Sequence, residues 1–375
     1  MAVYAAICFY IYAQEDSFKA PTWAIYIVFI IYSIFVINLF RQAFDLISYA
    51  SVGVEHYSLI LTSTAITIFV FVSFINIFML PNFFDRGVFF HVCSRVCCGI
   101  VILGIPSMII GGYTIFGVEF NPYTNLLPFR RFGIDIPAMT SFYADSNSLS
   151  KVALFGTFAG LWEYNERKTK LALALTSING AGLYLGNSRG ALLAGASGLV
   201  MYILIKKEYR NLGQLLFITG VAGSAYIIMV FAGIITGVPG SNINLSGRGN
   251  LWKATIKTIQ LNPWFGIGSE QLGLKIQPFV SDSRWVGLPP QNSYLRMFLT
   301  TGIFGGSAYL LLICNSVREN YTLPLSKINP ALIAFGTVIF VIQLFDNAPI
   351  FGINQSAVVI SIVLGHIIYE STSSE

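Results

Sequence analysis

Residues 22–40 read TWAIYIVFIIYSIFVINLF, nineteen consecutive positions without a charged side chain. A helix needs ~17 to 25 apolar residues to cross the hydrocarbon core of a bilayer. A barrel strand would instead alternate apolar and polar positions, and this run does not. Outward from it the pattern repeats at 58–80, 88–111, 149–164, 170–186, 189–206, 212–237, 293–315, 330–348 and 351–369. With 55% hydrophobic and only 10% charged residues among 375, the chain has too little polar surface to cover a water-soluble globule of its size. The expectation is an all-α polytopic membrane protein with about 10–11 transmembrane helices. The apolar Met1–Ala13 lacks the basic start of a signal peptide and reads as the end of an eleventh span.

Charge in the short loops orients the spans. Arg167, Lys168 and Lys170, then Lys206, Lys207 and Arg210, then Arg318 and Lys327, fall on one side if the spans alternate, and by the positive-inside rule that side is the cytoplasm. Segments 112–148 and 238–292 then lie outside. The chain divides into N-terminal transmembrane helices, 1–111, and a membrane domain, 112–375, whose extracytoplasmic loop 238–292 is the one long polar interruption of its second half. No transporter-like internal repeat stands out.

The candidates for chemistry gather on the outer side. Arg189 sits in Gly186-Asn187-Ser188-Arg189-Gly190, a tight turn between two apolar runs, where a guanidinium lies close to the hydrocarbon edge and presents a fork suited to phosphate oxygens. Arg248, in Ser246-Gly247-Arg248-Gly249, stands just ahead of an amphipathic segment. Asn250–Gln260 places Trp252, Ile256 and Ile259 on one face and Lys253, Lys257 and Gln260 elsewhere, as in a helix lying on the membrane–water interface. Arg130 and Arg131 precede Asp145-Ser146-Asn147, where Asp145 or Ser146 is a natural N-cap and Asp145 could equally bind sugar or take a proton. Trp252, Trp264, Trp285 and Tyr294 suit either stacking on sugar faces or an interfacial aromatic belt.

Other chemistries are excluded. There is no GxSxG, HExxH or Walker A motif, and Gly266-Ile267-Gly268 has neither a preceding strand nor an acidic residue at the dinucleotide-binding offset. Cys93 and Cys97 share a helix face with no histidine or carboxylate spaced to complete a metal site, and His56, His91 and His366 are isolated. No metal, cofactor or nucleic acid is expected.

The ordered set Asn187-Ser188-Arg189-Gly190-Ala191-Leu192-Leu193, Ser246-Gly247-Arg248 with Leu251-Trp252, Asn262-Pro263-Trp264-Phe265-Gly266-Ile267-Gly268, Asn292-Ser293-Tyr294-Leu295 and Gly302-Ile303-Phe304-Gly305-Gly306 resembles the O-antigen ligase and O-antigen polymerase superfamily. Asp145-Ser146-Asn147 after Arg131 is similar to that family's upstream element. The resemblance implies a metal-independent, GT-C-like membrane glycosyltransferase in the bacterial cytoplasmic membrane with an extracytoplasmic active site. Such an enzyme would take a glycan from an undecaprenyl-diphosphate carrier and pass it to a sugar hydroxyl. By the same resemblance, Arg189 and Arg248 hold the diphosphate; Arg130, Arg131, Asn147, Ser188, Trp252, Asn292 and Tyr294 are the candidate substrate-binding residues. The ligases' histidine base is replaced by Gln291, which can hydrogen-bond a hydroxyl but cannot take its proton. Asp145 becomes the favoured proton acceptor, with Glu270 and Asp282 behind it.

The reading is a polysaccharide polymerase, with an O-antigen ligase acting on lipid A core as the alternative. A flippase or exporter of the lipid-linked glycan is the alternative of another class. A transporter needs polar residues along a path through both leaflets, and the spans below the outer third are nearly free of charge.

Overall fold

The computed structural model describes residues 20–49, 56–121, 123–126, 137–231, 248–269, 271–322, 329–347, 349–352 and 354–372. In chain order its helices are α1 (Thr22–Tyr49), α2 (His56–Phe74), α3 (Arg86–Ile110), α4 (Ser146–Arg167), α5 (Lys170–Leu185), α6 (Arg189–Lys206), α7 (Arg210–Phe231), α8 (Arg248–Leu261), α9 (Leu272–Ile276), α10 (Ser293–Thr322), α11 (Pro330–Phe345) and α12 (Gln355–Thr372). Past its end α2 runs on through a π-helical segment, Ile75–Met79, and a last turn, Leu80–Phe83. Between α3 and α4 lie β1 (Tyr113–Ile115), β2 (Val118–Phe120), β3 (Tyr123–Leu126) and β4 (Pro137–Ala138), which pair antiparallel as β1–β2 and β3–β4. Each of the ten apolar runs forms a helix, and among the described residues five helices are long and apolar enough to cross a membrane, with α11 and α12 shorter but apolar. The chain is an all-α polytopic membrane protein, and Met1–Ala13 lies outside the described residues.

The described residues divide into two compact units. One holds α1 and α2, then α7 to α10, then Gln343 onward. Its centre is α10, which is not one continuous helix. Gly302 has φ 66° and ψ −164°, so the helix breaks there. The break exposes backbone groups that an apolar surrounding cannot satisfy, and the segment after α8 meets them. Ile267 N donates to Leu299 O at 2.9 Å, Gly268 N to Thr300 O at 3.1 Å, and Ile303 N to Pro263 O at 2.7 Å. Gly266, with φ 68°, and Gly302 face each other so closely that a Cβ on either would fall on the other segment's backbone. From α1, Asn38 Nδ2 donates to Phe265 O at 2.6 Å and, beside Gly268 N, to Thr300 O at 2.9 Å.

α8 is amphipathic as its sequence requires, but its apolar face is occupied by protein rather than laid on a bilayer. Leu251, Trp252, Ala254 and Ile256 pack with Leu272 and Ile276 of α9 and with Leu295 and Leu299 of α10, while Lys253, Lys257 and Gln260 face outward. At 14 residues the helix has enough turns to present one full apolar stripe, and α10 supplies the partner that the sequence alone assigned to lipid.

The other unit holds α3 to α6 and most of α11. Its core is aromatic: Phe335 lies 5.9 to 6.1 Å from Phe90, Phe155 and Phe158, centroid to centroid, and Phe90 stacks on Trp162 at 4.8 Å. Small residues let the helices approach, as membrane packing favours: Gly160 of α4 lies against the Thr176 backbone of α5. At one end α3 and α4 are tied by a buried carboxylate. Glu163, 2% exposed, accepts from Arg95 through both oxygens (3.0 and 3.2 Å), from Ser94 Oγ (3.1 Å), and sits 3.0 Å from His91 Nδ1. The sequence reading took His91 as isolated and the spans as nearly uncharged there. A charge pair shared by two spans is invisible until the helices are placed together.

Candidate functional site

In the unit of α3 to α6, the Arg189 turn is built onto the start of α4. Met139 N donates to Leu185 O at 2.9 Å, and Gly186 lies so close to Ser146 and Ser150 that a side chain there would displace them. Two elements separated by some forty residues, Asp145-Ser146-Asn147 and Gly186–Arg189, are therefore neighbours. Asn187 takes a left-handed conformation, φ 52°, which turns the chain directly into α6. Ser188 is the N-cap of α6, 7% exposed, and makes no side-chain capping bond. Arg189 is the first helical residue, is exposed, and has no ion-pair partner among the described residues. A cation at a helix N-terminus is disfavoured by ~0.3 to 1 kcal/mol through the helix dipole. The turn thus concentrates positive potential from the guanidinium and from uncapped amides.

Asp145 is the N-cap of α4. Its Oδ1 accepts from Ser148 N and its Oδ2 from Ser148 Oγ, both at 2.9 Å. A carboxylate has about four lone-pair sites, so the cap leaves each oxygen able to accept once more. Asn147 is exposed in the first turn of the same helix. Arg130 and Arg131 lie outside the described residues.

In the other unit Arg248 repeats this placement as the first residue of α8. It is half-buried; burial pulls its guanidinium below the usual arginine range and the Asp346 carboxylate pulls it back up, and it stays charged. Asp346 belongs to the connection between α11 and α12, where its Oδ1 accepts from Asn347 N at 2.7 Å. Asn347 Oδ1 in turn accepts from Arg296 Nη1 at 2.8 Å. A single connection therefore faces two arginines, with Asp346 toward Arg248 and Asn347 toward Arg296.

Several candidates from the sequence prove to be framework. Asn292 is fully buried; its Oδ1 accepts from Leu295 N at 2.9 Å, capping α10, and its Nδ2 donates to Leu344 O at 3.0 Å. Tyr294 and Trp252 are each 2% exposed. Tyr294 packs edge-on to Tyr309 and Trp252 lies in the α8–α10 core, so neither ring has a face open for a sugar to stack on. Their aromatic character gave no sign of which way they would point. Gln291 is half-buried with no hydrogen-bond partner among the described residues. Asp282 is engaged by Arg284, whose Nη2 lies 2.7 Å from its Oδ2, and that hydrogen bond holds its carboxyl below the usual range. Such a group is a poor proton acceptor. Glu270 lies outside the described residues.

The sequence reading missed Arg296, Asp346 and Asn347. The signal for Arg296 was there, since an ionisable residue inside an apolar run is a functional candidate by default. Asp346 and Asn347 carried no signal before the segment from Gln343 onward was placed beside α10. Among the described residues no group of three or more His, Cys, Asp and Glu side chains could hold a metal ion.

No curated protein matches the chain. A family model described as O-antigen ligase matches residues 171–310. That span runs from α5 through Arg189, Arg248, the break at Gly302 and the first half of α10. Residues 171–310 of this multi-pass membrane protein are thus similar to the O-antigen ligase family.

Proposed function

We propose that the protein transfers glycan repeat units from an undecaprenyl-diphosphate carrier to a sugar hydroxyl on the outer face of the bacterial cytoplasmic membrane, acting as a polysaccharide polymerase. The observation that carries this reading is that Arg189 and Arg248 each open a helix. There the guanidinium charge and the helix dipole both favour an anion. Each is suited to a phosphoryl oxygen, and negative charge grows on the diphosphate as the glycosidic bond breaks. Fixed cations at that leaving group stabilise the transition state more than the ground state. The leaving group takes the electron pair of the C–O bond, the acceptor oxygen forms the new bond, and the acceptor proton passes to a base. Asp145 is our candidate for that base, and Gln291 our candidate for orienting the acceptor hydroxyl. Asn292 and Tyr294 support the site by fixing the start of α10, and Trp252 by fixing α8.

The test is transfer of lipid-linked repeat units by purified protein. Arg189→Ala and Arg248→Ala, each removing one charge-assisted contact of ~1.5 to 3 kcal/mol, lower turnover about ten- to a hundred-fold. Lysine restores part of it because it lacks the fork. Full turnover in both alanine variants would remove the arginines from the mechanism. Use of lipid A core as acceptor in place of a second repeat unit would make the protein a ligase.

A further inference from the structure

A cavity of about 420 Å³ opens in the unit of α10, at the end that carries the segment after α8. Its polar lining is Arg296, Ser269, Gln271, Thr300 and Asn354, and Phe35, Phe69 and Phe351 form an apolar wall. That volume falls in the range of small-ligand sites, about 300 to 1,000 Å³.

Arg296 is what the cavity is built around. A guanidinium has five N–H donors. The protein gives this side chain one side-chain acceptor, the neutral Asn347 Oδ1, and no carboxylate ion-pairs with it among the described residues. Asp346, the neighbour of Asn347 in the chain, exerts its charge on Arg248 instead. Arg296 also lies in the first turn of α10, where the helix dipole disfavours a cation. A partly buried charge without a counter-charge is costly to the fold, and an anion brought by a ligand would offset that cost. Around it the lining keeps hydrogen-bonding capacity suited to a polyol. Asn354 spends its Oδ1 on capping α12 through Ala357 N and keeps its amide N–H groups. Thr300 Oγ1 donates to Met297 O and keeps its lone pairs. Gln271, held at φ 46° at the start of α9, makes no side-chain capping bond.

We propose that this cavity is a subsite for an anionic sugar, whose carboxylate or phosphate pairs with Arg296 while its hydroxyls meet Gln271, Asn354 and Thr300. Naming a sugar rests on the glycan-transfer reading above; the demand for an anion does not.

The full chain in phosphatidylcholine nanodiscs is melted with sodium glucuronate, with glucose, or with glycerol phosphate, each matched in ionic strength with sodium chloride. Glucuronate is expected to raise the midpoint where glucose does not. Its apparent affinity should fall at least about ten-fold in Arg296→Gln, with partial recovery in Arg296→Lys. Ser269→Trp, which fills the cavity from its loop side, should abolish the shift and serves if the arginine variants fold poorly. Arg248→Ala should keep the shift, so loss of the transfer reading and loss of this one are told apart. Equal shifts with glucose and glucuronate, no shift with glucuronate, or an undiminished shift in Arg296→Gln and Ser269→Trp would each overturn the proposal. A shift with glycerol phosphate alone would overturn it too and assign the cavity to a lipid phosphate.

Discussion

Asp145 holds Ser148 N and Ser148 Oγ at 2.9 Å each, so replacing it confounds capping with chemistry unless the replacement also caps. Asparagine does, since Asn and Asp are equivalent N-caps, and it cannot take a proton. We therefore expect Asp145→Asn to express and melt like the parent while transfer falls at least about ten-fold, the usual cost of losing a general base. Asp145→Ala should in addition lose ~0.5 to 2 kcal/mol of stability. Gln291→Ala should cost less activity than Asp145→Asn, and Gln291→His should be tolerated. An unchanged rate in Asp145→Asn would leave the residue as a cap only. The same scale shows what composition can and cannot reveal. Arg189 and Arg248 stand out in sequence because charge near an apolar run needs a reason. Trp252 and Asn292 stand in equally suggestive motifs and turn out buried, because a motif records that a residue is needed and not whether packing or substrate needs it.

At the scale of elements, the break in α10 explains two of the glycine motifs together. Gly266 and Gly302 both adopt positive φ and abut each other's backbone, which no residue with a Cβ can match. The Phe265 carbonyl accepts from Asn38 of α1, which also gives Thr300 O a second donor beside Gly268 N. Asn38→Leu, close in size but without the amide, strips the donor from Phe265 O and leaves Thr300 O with Gly268 N alone. At ~1 to 3 kcal/mol for leaving a buried group unsatisfied, we expect a clearly lower thermal midpoint in detergent. A midpoint equal to the parent's would mean that water reaches those carbonyls. Nothing in residues 22–40 hinted at this role. Asn38 read as one polar residue near the end of a span, and its partners lie 227 and 262 positions away.

At the scale of the whole molecule, the proposed sidedness rests on the positive-inside rule, by which the basic clusters at 167–170 and 206–210 are expected in the cytoplasm and Asn250 outside. A cysteine at Asn250, in an otherwise cysteine-free chain, should be labelled by a membrane-impermeant maleimide from outside intact cells. Labelling only after the membrane is opened would reverse the topology and with it the proposed side of catalysis.

What the sequence by itself determined was local: which segments are helices, and that one of them begins at Asp145 or Ser146. Crossing a bilayer depends on the summed transfer energy of ~20 consecutive residues, and a cap depends on a side chain and an amide three positions apart, so both can be read without knowing the neighbours. What only the tertiary structure decided was lateral. In an apolar solvent, a face that meets lipid and a face that meets protein carry the same side chains. Hydropathy therefore could not show that α8 packs on α10, that Glu163 joins Arg95, or that Asn347 leaves Arg296 facing a cavity with its charge unmatched.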